Sequence, residues 1–126
     1  MEREHIDSLS MKMFLSFKSL QSLDLTLDES FDDKGLEELF NGLKSLSLLS
    51  ELTLEISQNL NISDKGLFAL SGGLKFLKSL SHVAFYFMDL FITEEGINSI
   101  SQSFKYLNYL VFHYNLFLVQ KSGTKD

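Results

Sequence analysis

Residues 20–27 read Leu-Gln-Ser-Leu-Asp-Leu-Thr-Leu, and apolar and polar residues alternate along the second half of this stretch. The stretch returns as LSELTLEI at 49–56, LSHVAFYF at 80–87 and LNYLVFHY at 107–114, after 29, 31 and 27 residues. Such an alternation predicts a β-strand that shows one side to a core. Four copies at this spacing predict that the chain is an array of one repeated structural unit.

A second marker follows each of the first three predicted strands. Residues 33–36 and 64–67 both read Asp-Lys-Gly-Leu, and residues 94–97 read Glu-Glu-Gly-Ile. Apolar residues then recur at steps of three and four, which predicts the buried stripe of an α-helix. The residues just before the markers can cap the free amides of a helix: Asp32, Ser63 and Thr93. The glycine of each marker predicts a close approach between helix and strand backbones.

The segment before the first strand reads as half of a unit. Residues 4–10 (Glu-His-Ile-Asp-Ser-Leu-Ser) are similar to residues 95–101 (Glu-Gly-Ile-Asn-Ser-Ile-Ser). This similarity predicts a helical half-repeat over residues 4–19, followed by repeats of 27–31 residues. The repeat domain is predicted to span 1–119, and the polar residues 120–126 are predicted to form a disordered tail.

Length, charge and composition exclude several classes of protein. The chain has 126 residues, enough for one domain, and 17 acidic against 11 basic residues give a net charge of −6. This balance disfavours nucleic acids and anionic membrane surfaces as partners. Cysteine is absent, which excludes disulfides and thiolate chemistry. No targeting or membrane-spanning pattern is evident, which predicts a cytoplasmic or nuclear protein.

The four Leu-x-x-Leu-x-Leu cores and the helix starts together resemble the leucine-rich repeat proteins of the ribonuclease-inhibitor-like subclass. The resemblance covers residues 4–115, and the uneven period resembles the divergent arrays common in protist proteins. It implies an α/β solenoid shaped as a horseshoe arc, with a parallel sheet of about four strands on the concave side and about four helices on the convex side. The position of the usual turn-closing Asn or Cys is occupied by Asp28, Ser57, Met88 and Asn115, so the family pattern is kept in the last unit alone.

The outward positions of the strands are predicted to form a solvent-facing surface on the concave side. Carboxylates lie on the first two strands, and tyrosines, histidines and a methionine lie on the last two. The predicted partner-binding residues are Asp24, Thr26, Asp28, Glu51, Thr53, Glu55, His82, Tyr86, Met88, Tyr109 and His113. This composition predicts a module that binds another protein, one with a basic surface.

No pattern in the sequence predicts catalysis, a metal or a cofactor. An open concave sheet offers no dry pocket for acid–base chemistry by the carboxylates of its first two strands. His82 and His113 differ by about four positions in register, roughly 13 Å along a strand, too far to share one ion. The glycines of residues 71–74 lie within a helical stripe, so they do not form a phosphate-binding loop. The chain is therefore predicted not to be an enzyme.

Two alternatives stay open at this point. The chain could be a structural unit that self-associates through its apolar last strand, residues 110–114, or one part of a longer array. The family resemblance alone implies a third role, as a GTPase activator or a substrate adaptor of a ubiquitin ligase. An activator needs a group aimed at phosphate, and Arg3 is the one arginine of the sequence.

Overall fold

A computed structural model describes residues 2–6, 18–103 and 109–116, with the backbone alone for the first and last of these ranges. The described strands are β1 (Glu2–Ile6), β2 (Ser22–Leu27), β3 (Glu51–Ser57), β4 (His82–Leu90) and β5 (Tyr109–Leu116), and the described helices are α1 (Asp33–Leu43), α2 (Asp64–Leu74) and α3 (Glu94–Gln102). The strands form one parallel sheet in the order β1-β2-β3-β4-β5. The prediction of an α/β chain with a parallel sheet is confirmed.

The repeated cores lie side by side in the sheet. Leu25 pairs with Leu54 and Leu54 with Phe85, and all three are buried. The next buried column, two residues further along the strands, contains Leu27, Ile56 and Phe87. Both predicted columns are confirmed for these three strands. Their predicted fourth members, Phe112 and Tyr114, hold the matching register positions in β5, of which the backbone is described.

The three described helices cover one side of the sheet and pack on one another in chain order. The predicted caps are confirmed: the side chain of Asp32 accepts a hydrogen bond from the Gly35 amide, Ser63 from Lys65 and Thr93 from Glu95. In the described part of the chain, no helix is long and apolar enough to cross a membrane.

The predicted helical half-repeat is wrong at its start, because residues 4–6 belong to β1. Arg3 of this strand pairs with Asp24, and Ile6 pairs with Leu27. Without β1, the outer edge of β2 would present a row of unpaired backbone groups, which β1 satisfies. The rest of the half-repeat that precedes Lys18, residues 7–17, lies outside the described residues, as do the predicted domain boundary at 119 and the tail.

Two of the marker glycines, Gly66 and Gly96, make a different contact from the predicted one. A Cβ placed on Gly66 would lie 2.5 Å from Oδ1 of Asp33, which belongs to the preceding helix. A Cβ on Gly96 would in the same way come closer than 3.0 Å to Asp64. Gly66 and Gly96 therefore leave room for the acidic residue of the preceding helix, and the predicted approach of a strand backbone is not what requires them.

The turn after β3 is closed by Asn59, two residues beyond the position that the family pattern indicated. Asn59 is completely buried, and its Nδ2 donates to the carbonyl oxygens of Phe31, at 3.0 Å, and Asp28, at 3.2 Å. Its Oδ1 accepts from the Asn61 amide at 2.7 Å. These bonds tie the turn to that of the preceding unit and supply partners to the Phe31 carbonyl and the Asn61 amide, while the Asp28 carbonyl also accepts from the Phe31 amide.

Candidate interaction surface on the sheet

The polar positions of the strands share the side of the sheet that faces away from the helices. We call this side the β-face; its described members that are exposed or half-buried include Thr26, Glu51, Thr53, Glu55, His82, Tyr86 and Met88. The alternation of the strands separates these side chains from the buried columns. The parallel register then places equivalent positions next to one another across neighbouring strands.

Two cross-strand pairs dominate the described part of the β-face. Glu51 pairs with His82, and Glu55 pairs with Tyr86 four residues further along the strands. Glu51, Glu55 and His82 are exposed, whereas Tyr86 is half-buried. Because neighbouring strands are about 4.8 Å apart, each glutamate position lies beside a position with a ring. Acidic and ring-bearing side chains therefore meet at the boundary between β3 and β4.

Local hydrogen bonds hold the first of these pairs. The hydroxyl of Ser22 on β2 donates to Oε1 of Glu51 at 3.1 Å. The hydroxyl of Ser81 lies 2.8 Å from Nδ1 of His82. Each residue of the Glu51–His82 pair is thus restrained by a serine, which lowers the entropy that a partner's binding would have to remove.

One predicted site residue, Asp24, is buried, and another, Asp28, is held in a turn. Asp24 is only 4% exposed, because it lies between β1 and β3 and not at the edge of the sheet, as the four-strand prediction assumed. Asp28 is half-buried, and its Oδ1 accepts from the backbone amide of Ser30 at 2.9 Å and from the Ser30 hydroxyl at 2.6 Å. Asp28 therefore shapes the turn after β2.

The last two predicted residues, Tyr109 and His113, lie in β5. The register places Tyr109 beside His82 and His113 beside Tyr86. This places their backbone positions next to the two cross-strand pairs of β3 and β4. Their side chains lie outside the described part of the structure.

The described grooves lie away from the β-face. Grooves of about 510, 400 and 300 Å³ lie along the helices and the loops that follow them, and the residues that line them do not come from the β-face. Among the described residues, no group of three or more histidine and acidic side chains gathers to hold a metal ion. What the β-face offers is a solvent-open row of carboxylates, rings and a thioether.

Two sequence comparisons find no relative of the chain. No model of a protein family matches the chain, and no curated protein matches it significantly. A function can therefore be inferred only from the repeated units and from the β-face.

Proposed function

We propose that the chain is a leucine-rich repeat protein of the ribonuclease-inhibitor-like subclass that binds a protein partner through the β-face, without catalysis. The observation that carries this proposal is the parallel register that aligns Glu51 with His82 and Glu55 with Tyr86 on the side opposite the helices. Helices are wider than strands, so stacked units of this kind curve with the sheet inside. The β-face would then line the inner side of an arc.

The chemistry of the β-face indicates the kind of partner. Tyrosine and methionine supply contact area that is apolar but tolerates water, and such residues are common at the centre of protein interfaces. Glu51 and Glu55 add exposed negative charge to a chain whose net charge is already −6. We therefore propose a partner with basic side chains against β3 and apolar side chains against β4, drawn in by long-range attraction.

We propose a cytoplasmic or nuclear setting for this binding. The partner would accordingly be another protein of that setting.

The proposal is tested by affinity capture from a source lysate with two matched variants. The double variant Glu55→Lys, Tyr86→Ala changes the β-face and should lose the partners that the unaltered chain retains. The double variant Glu38→Lys, Phe68→Ala changes exposed residues of α1 and α2 and should keep them. Partners that survive the first variant and disappear with the second would contradict binding through the β-face.

A further inference from the structure

The two edges of the molecule carry opposite charge. The described strands are all parallel, so the helix-to-strand loops lie where the strands begin and the strand-to-helix loops lie where the strands end. We call the first of these sides of the molecule the basic edge and the second the acidic edge. The loops 44–50 and 75–81 contain lysines and no acidic residue: Lys44, Lys75 and Lys78. The loop 28–32 contains three acidic residues and no basic one, Asp28, Glu29 and Asp32, and the neighbouring loop 58–63 carries no charge. A second copy could approach edge to edge with charges matched.

The basic edge holds an apolar groove of about 300 Å³ between two successive units. Its lining includes three buried leucines, Leu46, Leu49 and Leu77, together with Lys44 and Lys78. Phe76 belongs to the same lining and is 55% exposed, with Nζ of Lys44 4.6 Å from the centre of its ring. A groove with an apolar lining and two lysines suits an apolar side chain that has a carboxylate next to it.

The acidic edge presents such a side chain. Leu60 is 68% exposed, more than any other large hydrophobic residue whose side chain is described. Its turn is fixed on one side by the buried Asn59 and on the other by Asn61, whose Nδ2 donates to the carbonyl oxygen of Glu29 at 3.1 Å. The exposed Glu29 is thereby held next to the Leu60 turn. Because both neighbours restrain the turn, docking would remove little conformational entropy from it.

We propose that the Leu60 turn of one copy docks into the basic-edge groove of a second copy, with Glu29 facing Lys44 and Lys78. The docked surfaces come from opposite edges of the molecule, so the contact is heterologous and continues into a chain or ring of copies. The β-face takes no part in this contact and stays open to a partner. The inference is therefore independent of the proposed function.

The first test is the mass of the unaltered full chain in solution, measured by sedimentation velocity and light scattering over a wide range of concentration. The weight-average mass should rise with concentration past twice the 14.4 kDa of the monomer, and added salt should lower it. A monomer at every concentration would overturn the proposal. A mass that levels off at a dimer would also overturn it, because a heterologous contact leaves both ends of a dimer free.

The second test combines two variants that each lack one half of the contact. Leu60→Ser removes the docking side chain and keeps the groove, while Lys44→Glu with Lys78→Glu reverses the charge of the groove and keeps Leu60. Each variant alone should stay monomeric, and an equal mixture should form one-to-one dimers and grow no further. A mixture that stays monomeric would overturn the proposal, as would either variant assembling like the unaltered chain.

Two controls separate this contact from other surfaces. Phe68→Ser changes a residue of α2 that is exposed but lies away from both edge loops, and should leave assembly unchanged. Assembly that persists in both edge variants would instead assign the contact to another surface, such as the outer edge of β5. Glu55→Lys with Tyr86→Ala should assemble normally, and Leu60→Ser should still capture the β-face partner, so failure of one proposal leaves the other intact. Circular dichroism confirms that every variant is folded.

Discussion

The carboxylate of Asp33 accepts two hydrogen bonds from Ser63, one from the backbone amide at 2.8 Å and one from the hydroxyl at 2.6 Å. Asp33 lies in the first turn of α1, and Ser63 is the N-cap of α2. Asp64 binds Thr93, the N-cap of α3, through the same two groups. Each aspartate therefore interacts with the positive end of its own helix and also holds the start of the next helix.

Asp33→Ala should lower the free energy of unfolding by about 1–3 kcal/mol, because it removes a charged acceptor from two partly buried donors. Denaturant titration of the full chain measures the change. Glu37→Ala is the matched control: it removes an exposed carboxylate from the same helix and should change stability by less than about 0.5 kcal/mol. Equal losses in the two variants would mean that the contact with Ser63 contributes nothing.

Two glycines of α2 should respond to alanine with opposite signs. Gly72 has no heavy atom within 4 Å of an added Cβ, so Gly72→Ala should stabilise the protein by about 0.5–1 kcal/mol through the helix preference of alanine. Gly66→Ala should destabilise it, because its Cβ would meet Oδ1 of Asp33 at 2.5 Å. Thermal unfolding of both variants gives the two signs, and a common sign would show that Asp33 moves aside at little cost.

The clash at Gly66 and the contact between Asp33 and Ser63 share one carboxylate, so their effects should not be additive. In an Asp33→Ala background, Gly66→Ala should cost less than it does in the unaltered chain, since the side chain it would meet is gone. A double-mutant cycle of unfolding free energies measures this coupling. Strict additivity would show that other neighbours, such as Leu36 at 3.3 Å from the added Cβ, set the cost.

The buried columns could be read from the sequence, because a period of two assigns every second residue of a strand to the same side. This rule alone assigns Leu54 and Phe85 to the buried side of the sheet. Asp24 follows the same alternation, yet it is buried, because β1 lies next to it. The sequence did not predict β1, since residues 4–10 are similar to a helix start. Burial of a face position is thus a property of the neighbouring strands that a repeat pattern does not contain.

The contacts between units were harder to predict than the units themselves. The helix caps were predicted from the residues that precede the markers, but the hydrogen bond that Ser63 donates to Asp33 depends on the lateral spacing of two helices. Asn59 was missed because the loop after β3 is longer than its counterparts, which displaces the turn-closing asparagine from the family position. The signal present in the sequence was the pair of turn-forming asparagines in that loop, Asn59 and Asn61.

Asn59→Leu should lower the free energy of unfolding by roughly 2–3 kcal/mol, because it leaves backbone groups of the turn unpaired in a buried place. Asn59→Asp should also destabilise the protein, since an ionised carboxylate cannot donate to the two carbonyl oxygens. Asn61→Ala, the control, removes one exposed hydrogen bond and should cost about 1 kcal/mol or less. Denaturant titration ranks the three, and a tolerated Asn59→Asp would contradict the assigned direction of these bonds.

Leu54 and Glu55 are consecutive residues of β3 on opposite sides of the sheet, so they separate folding from binding. Leu54→Asp buries a carboxylate among leucines and should abolish the cooperative thermal transition measured by circular dichroism. Glu55→Lys changes an exposed position, so it should leave that transition unchanged and lower the affinity of the β-face for its partner. If Leu54→Asp unfolded normally, the buried and exposed sides of β3 would be wrongly assigned, and Glu55 would not lie on a surface open to a partner.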